Sequence, residues 1–170
     1  MKKIFKYIQK KKGKPIPITA KILFNLPLNE KELFIDYLDI RNPIYDVVLP
    51  ENLFIHKNLC ITNANLMYYP ASTIVCDNIY IDSCVIHKLP NNLIANNNLF
   101  IINSQLNMLP DNLIVYGDLF LTGSSITNVP INLKVYGDLH IRKTPLAELI
   151  RYNRNLFTNI RNCSEKKFFF

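Results

Sequence analysis

Through the middle of this chain, apolar residues fall at every second position in short bursts, and the bursts return every 20 residues. Leu113-x-Val115 and Leu119-x-Leu121 form one such pair. Alternation with period two places successive side chains on opposite faces of an extended segment, and the β-branched and aromatic residues between them suit strand rather than helix. The bursts align in columns. Leu59, Ile79, Leu99, Leu119 and Leu139 make one, and Ile61, Ile81, Ile101, Leu121 and Ile141 a second, two residues on. Leu66, Ile86, Leu106, Ile126 and Leu146 make a third, and Ile55, Val75, Ala95, Val115 and Val135 a fourth. Pro50, Pro70, Pro90, Pro110 and Pro130 keep the same phase, and NL-x-V-Y-G-D-L-x-(L/I) appears twice outright, from Asn112 and from Asn132.

Each copy carries too few apolar residues to bury a core alone, so neighbouring copies must stack and share one. The pattern predicts a mainly β, single-domain β-solenoid with short terminal helices. It has five regular 20-residue coils and one degenerate N-terminal coil, running from Leu26-Pro27 through Leu33, Ile35, Leu38 and Ile40 to Leu49-Pro50. Gly117-Asp118 and Gly137-Asp138 mark one bend, and the proline and asparagine columns another. Residues 1–26 are expected to be a basic helix or cap, 27–145 the solenoid, and 146–170 a helical cap with a basic tail, all one folding unit. Ile4, Phe5 and Ile8 lie on one face of the first helix, and Leu146, Leu149, Ile150, Phe157 and Ile160 on one face of the last. Thr144-Pro145 suits an N-cap followed by proline at the first helical position.

The phrase Leu-x-(Ile/Leu)-x-x-(Ser/Thr/Cys/Ala)-x-(Leu/Ile) resembles the second half of the leucine-rich-repeat signature, and the 20-residue period with its recurrent Leu-Pro is similar to the short bacterial class. Cys84 matches the family's Asn/Cys position, which otherwise holds Ala64, Ser104, Ser124 and Thr144. The family's first leucine is missing, since His56, Cys76, Asn96, Tyr116 and Tyr136 stand there. Both a curved horseshoe and a straighter solenoid stay open. The LP-x-NL-x-V-x-GDL-x-I phrasing is similar to repeats of bacterial and phage proteins. That resemblance implies a compact inhibitor of a host defence system, in the manner of an anti-CRISPR.

With 49% hydrophobic and 19% charged residues, the 170-residue chain suits one soluble core. Charge is unevenly spread. Residues 1–14 carry Lys2, Lys3, Lys6, Lys10, Lys11, Lys12 and Lys14 with no acid, residues 142–170 are +5, and the body between is −5. Such blocks are solvated arms or docking surfaces for an acidic partner, and Arg151 and Arg154 join the lysines as candidate contacts. The four cysteines, Cys60, Cys76, Cys84 and Cys163, show neither C-x-x-C nor zinc spacing and read as reduced thiols. No apolar run reaches the length of a signal peptide or a membrane span, and a cytoplasmic location is expected.

Little in the chain points to catalysis. His56, His87 and His140 fall at three repeat phases and have no reason to converge. Asp118 and Asp138 share a phase, but the same column reads Asn58, Asn78 and Asn98, the residues a turn prefers. The column Asn52, Ser72, Asn92, Asn112 and Asn132 suits side-chain bonding from coil to coil. No catalytic residue, metal ligand or cofactor is expected.

One column resists a structural account. Cys60, Tyr80, Phe100, Phe120 and His140 lie between the two core columns, so alternation points them away from the core. Exposed rings in successive coils form an apolar stripe of the kind that marks interaction sites, bordered by Thr62, Asp82, Ile102, Thr122 and Arg142. The reading is a non-enzymatic binding module. Tyr80, Phe100, Phe120, His140 and Arg142 meet a protein or a protein–nucleic-acid complex. The alternatives are direct nucleic-acid binding through the basic ends and a peripheral amphipathic anchor on anionic lipid, with membrane and small-molecule partners both less expected than a macromolecule.

Overall fold

The computed structural model describes residues 33–152 and the pair 168–169. The expected N-terminal helix, with its seven lysines, and Arg154, Phe157, Ile160 and Cys163 lie outside the described residues. The first coil holds β1 (Leu33–Ile35), β2 (Leu38–Arg41) and β3 (Val47–Val48). The second holds β4 (Leu53–Ile55), β5 (Leu59–Thr62) and β6 (Asn65–Tyr68), and the third β7 (Ile74–Val75), β8 (Ile79–Asp82) and β9 (Val85–Ile86). In later coils two sides stay regular, with β10 (Ile94–Ala95) and β11 (Leu99–Ile102), β12 (Ile114–Val115) and β13 (Leu119–Phe120), then β14 (Lys134–Val135) and β15 (Leu139–His140). Helix α1 (Pro145–Tyr152) and β16 (Phe168–Phe169) follow.

Every strand pairing is parallel, and the register repeats the sequence period: Leu59 sits beside Ile79, Ile79 beside Leu99, Leu99 beside Leu119 and Leu119 beside Leu139. The molecule is therefore a three-sided parallel β-solenoid. Its second side is continuous, seven strands in the order β16-β15-β13-β11-β8-β5-β2. The first side is split into β1-β4-β7 and β10-β12-β14, and the third is regular only over β3-β6-β9. The stretched first coil joins the stack with altered corners. Leu38 pairs with Leu59, one residue out of the 20-residue phase, and the register slips between Val47 and Val48.

All four predicted apolar columns are buried, including Leu59, Ile61, Leu99, Ile101, Leu119 and Leu121 with no exposed surface. Two further columns complete the interior: Leu49, Tyr69, Leu89 and Leu109, and Leu53, Thr73, Leu93, Leu113 and Leu133. The small polar residues of the corner after the second side are also inside and are bonded to backbone. Ser104 Oγ donates to the Ile102 carbonyl at 2.8 Å and accepts from the Cys84 N–H at 3.1 Å. Ser124 Oγ and Thr144 Oγ1 each donate to the carbonyl three residues back at 2.7 Å. Burial without such partners would cost a few kcal/mol each.

The bends follow from the residues that occupy them. Asn42, Asn63, Ser83, Asn103, Gly123 and Lys143 all have positive φ after the strands of the second side, a conformation that asparagine and glycine adopt most readily. Asn52, Asn92 and Asn112 do the same after the prolines. Their amides bond from coil to coil as expected: Asn112 Nδ2 donates to Asn92 Oδ1 at 2.8 Å, and Asn132 Nδ2 donates to Asn112 Oδ1. In the second coil Asn52 N–H donates to Ser72 Oγ at 2.8 Å.

Helix α1 starts where the sequence places it, with the Ala147 N–H donating to Thr144 Oγ1 at 3.1 Å. Its buried face differs from the expected one. Leu146, Ala147 and Ile150 are buried, while Leu149 is 48% exposed. At 100° per residue Leu149 falls outside the arc spanned by those three.

Candidate interaction face

The outward residues of the second side form a ladder. β-Pairing sets Asp39 beside Cys60, Cys60 beside Tyr80, Tyr80 beside Phe100, Phe100 beside Phe120 and Phe120 beside His140. Parallel strands lie about 4.8 Å apart, close to the separation of stacked rings. Tyr80 and Phe100 stack with centroids 4.4 Å apart and 11° between planes, Phe100 and Phe120 at 4.5 Å and 7°, and Phe120 and His140 at 4.1 Å and 10°. The rings point away from the core, as alternation requires, yet each is half-buried rather than openly exposed. Both faces of Phe100 and Phe120 are covered by neighbouring rings, so their edges are what solvent reaches. Burial raises the Tyr80 hydroxyl and the Cys60 thiol above their ordinary pKa values.

The border residues Thr62, Asp82, Ile102 and Thr122 are half-buried and Arg142 is exposed. At the start of the ladder the charges are paired, Asp39 accepting from Arg41 Nε at 2.8 Å and Asp36 from Lys57 Nζ at 3.0 Å, whereas Arg142 and Lys143 lie at its end. Of the basic residues proposed for an acidic partner, Arg151 lies on α1 and holds Glu148 at 3.0 Å.

The other candidate groups stay apart. His56 is exposed at the corner between the first and second sides, His87 Nε2 lies 3.1 Å from Asn65 Oδ1 on the third side, and His140 belongs to the ladder. Among the described residues no three His, Cys, Asp or Glu side chains come together as a metal site. The column of Asp118 and Asp138 is occupied with turn bonding. Asn98 N–H donates to Asn78 Oδ1 at 3.1 Å, Asp118 N–H to Asn98 Oδ1 at 2.7 Å, and Asp138 N–H to Asp118 Oδ1 at 2.7 Å. No helix among the described residues is long and apolar enough to cross a membrane.

Two surfaces were missed by the column reading. The outward position of the first side carries Phe54, Ile74, Ile94 and Ile114, with Ile74 51% and Ile94 46% exposed. Beside it Tyr116 and Tyr136 stack at 5.2 Å. The middle position of each Leu-x-Val burst was the available signal. On the third side, where pairing after β9 thins to the bridges Val85–Gln105 and Met108–Asn128, a groove of about 900 Å³ opens between His87, Lys88, Gln105, Met108 and Asp111. Only the failure of pairing reveals it.

Compared with protein-family models, characterised proteins and solved structures, the chain matches none.

Proposed function

We propose that this protein is a macromolecular binding module that presents the ring ladder of its second side to a protein, or to a protein already holding nucleic acid. The observation that carries the reading is the continuous stack from Tyr80 through Phe100 and Phe120 to His140 on the longest sheet. Aromatic residues are the favoured anchors of interface centres, and a mixed polar border such as Thr62, Asp82, Thr122 and Arg142 is the usual rim. Because the rings are held by one another and by the backbone ladder, little side-chain entropy is lost on contact. A kinship with leucine-rich repeats belongs to the same reading. It rests on Leu99, Ile101, Ser104 and Leu106, which occupy the signature's fixed positions and are all buried. Inhibition of a host nucleic-acid machine is its most specific form.

The test changes the border and spares the rings. Ile102→Lys with Thr122→Lys should leave the far-UV circular dichroism and melting intact while weakening partner capture by about tenfold or more. A folded double variant that captures its partner at full strength rejects this face. Capture with and without nuclease separates a protein partner from a ribonucleoprotein.

The basic termini support a second reading, direct binding of nucleic acid. Deleting residues 1–14, which carry +7, should then lower affinity for any sequence and flatten its salt dependence. Equal binding by both forms, or none by either, rejects it.

A further inference from the structure

The last two described residues do not continue the repeat. A regular further coil would bring Asn159 beside Leu139 and Ile160 beside His140, setting a polar residue at the end of an apolar column. Instead β16 pairs in parallel with β15, with Phe168 beside Leu139 and Phe169 beside His140. The chain thus returns to this edge nine residues late and places there an apolar residue in the register of Leu119 and Leu139, then an aromatic one in the register of Phe120 and His140.

We propose that the edge of the second side beyond β15 is a strand-accepting site, and that the chain's own Phe168–Phe169 occupies it as a releasable latch. Two observations support release over permanent integration. β16 is separated from the end of α1 by 15 residues in sequence, and its pairing does not keep the 20-residue period of the coils. The core end has cover other than β16, since α1 already buries Leu146, Ala147 and Ile150 in the core cluster. Added strands bind mainly through main-chain hydrogen bonds, with side-chain pattern giving specificity. The kind of partner that fits is therefore an extended segment with an apolar residue followed by an aromatic one. It would displace the latch and lengthen the ring ladder by one position. This inference stands on the β15–β16 register and does not require the ladder itself to be a recognition surface.

The probe is a labelled synthetic peptide of residues 164–170, Ser-Glu-Lys-Lys-Phe-Phe-Phe, added to the full chain and to a chain ending at residue 163. The truncated chain should stay folded and bind the peptide. An intramolecular effective concentration of about 1 mM against a peptide Kd of about 0.1 mM makes binding by the full chain about tenfold weaker. A peptide with serine at both positions 168 and 169 should bind neither. Hydrogen exchange gives a second measurement: amides of Leu139 to Ile141 should exchange faster after truncation and slow again with peptide. Loss of fold on truncation would mean that β16 is integral to the coil and overturns the proposal. A folded truncated chain that ignores the peptide, or equal binding by both chains, overturns it as well.

Discussion

The side-chain amide of Asn96 takes the place of a backbone N–H, its Nδ2 donating to the Val75 carbonyl at 2.7 Å. In the neighbouring coils the equivalent carbonyl accepts from the main chain: His56 N–H donates to Ile35 at 3.0 Å, Cys76 to Ile55 at 2.9 Å, and Tyr116 to Ala95 at 3.0 Å. This substitution falls where the first side divides, between β7 and β10. Asn96→Leu removes the donor and leaves the Val75 carbonyl unpaired, which should lower stability by about 1 kcal/mol. Urea unfolding checks it, and an unchanged midpoint would mean that the main chain closes the gap.

The carboxylate of Asp118 is an acceptor for the next coil and needs no charge to act as one. Asp118→Asn should therefore leave melting within about 0.5 kcal/mol of the parent, as Asn98 does the same work one coil earlier. Asp118→Ala should cost about 1 kcal/mol by stranding the Asp138 N–H. A folded Asp118→Asn chain that loses its activity would restore an acid-base or metal role for this column.

Gly137 is required by close approach, not by its φ. A Cβ there would lie 2.2 Å from Asp118 Oδ1 and 2.5 Å from both the carbon and the oxygen of the Gly117 carbonyl. Backbone cannot give way as a side chain can, so Gly137→Ala should destabilise by about 1–3 kcal/mol. Gly123 has φ +70 and would meet chiefly the Asn103 amide. Asn103 itself holds φ 50 at the same phase, so Gly123→Asn should be tolerated. Paired thermal melts decide both.

Leu99→Asp and Leu119→Asp each place an unpaired carboxylate where no surface is exposed. The cost of such a charge approaches the whole stability of a domain, about 5–15 kcal/mol. Each variant should lose structure as a unit, read as loss of the β signal in circular dichroism. Retention of half the signal would mean that the coils fold independently.

Among the described residues, Tyr69 and Thr73 bury hydroxyls with no hydrogen-bond partner. Burial raises the Tyr69 pKa strongly. The unfolded chain therefore releases its phenolic proton at about pH 10 while the folded chain retains it, and stability falls as pH rises above that value. Tyr69→Phe should gain up to about 1 kcal/mol at neutral pH and lessen the loss at alkaline pH. Denaturant midpoints at pH 7 and above pH 10 measure both effects.

How much of this was legible in the chain varies by feature. Period and alternation carried the parallel stack, because a 20-residue repeat of apolar columns can be buried only by laying copy on copy in register. The N-cap at Thr144, the turn duty of Asp118 and the amide ladder from Asn92 to Asn132 were legible for a related reason, since each depends on residue type at a fixed local position. Leu149 was misplaced because helical periodicity defines an apolar arc but not which edge of it meets the last coil.

The sequence by itself determined which residues share a column, and with it the order of the core and the ladder Tyr80, Phe100, Phe120 and His140. Tertiary structure alone decided what lies across columns and beyond them. Whether ring faces or only ring edges meet water depends on a strand spacing that matches ring stacking. Whether a coil bonds through its backbone or through Asn96 depends on local distances that no period encodes. The docking of Phe168 and Phe169 beside Leu139 and His140 breaks the 20-residue phase, so no column could have announced it. A free sheet edge selects its partner by register and side-chain pattern and is indifferent to separation along the chain.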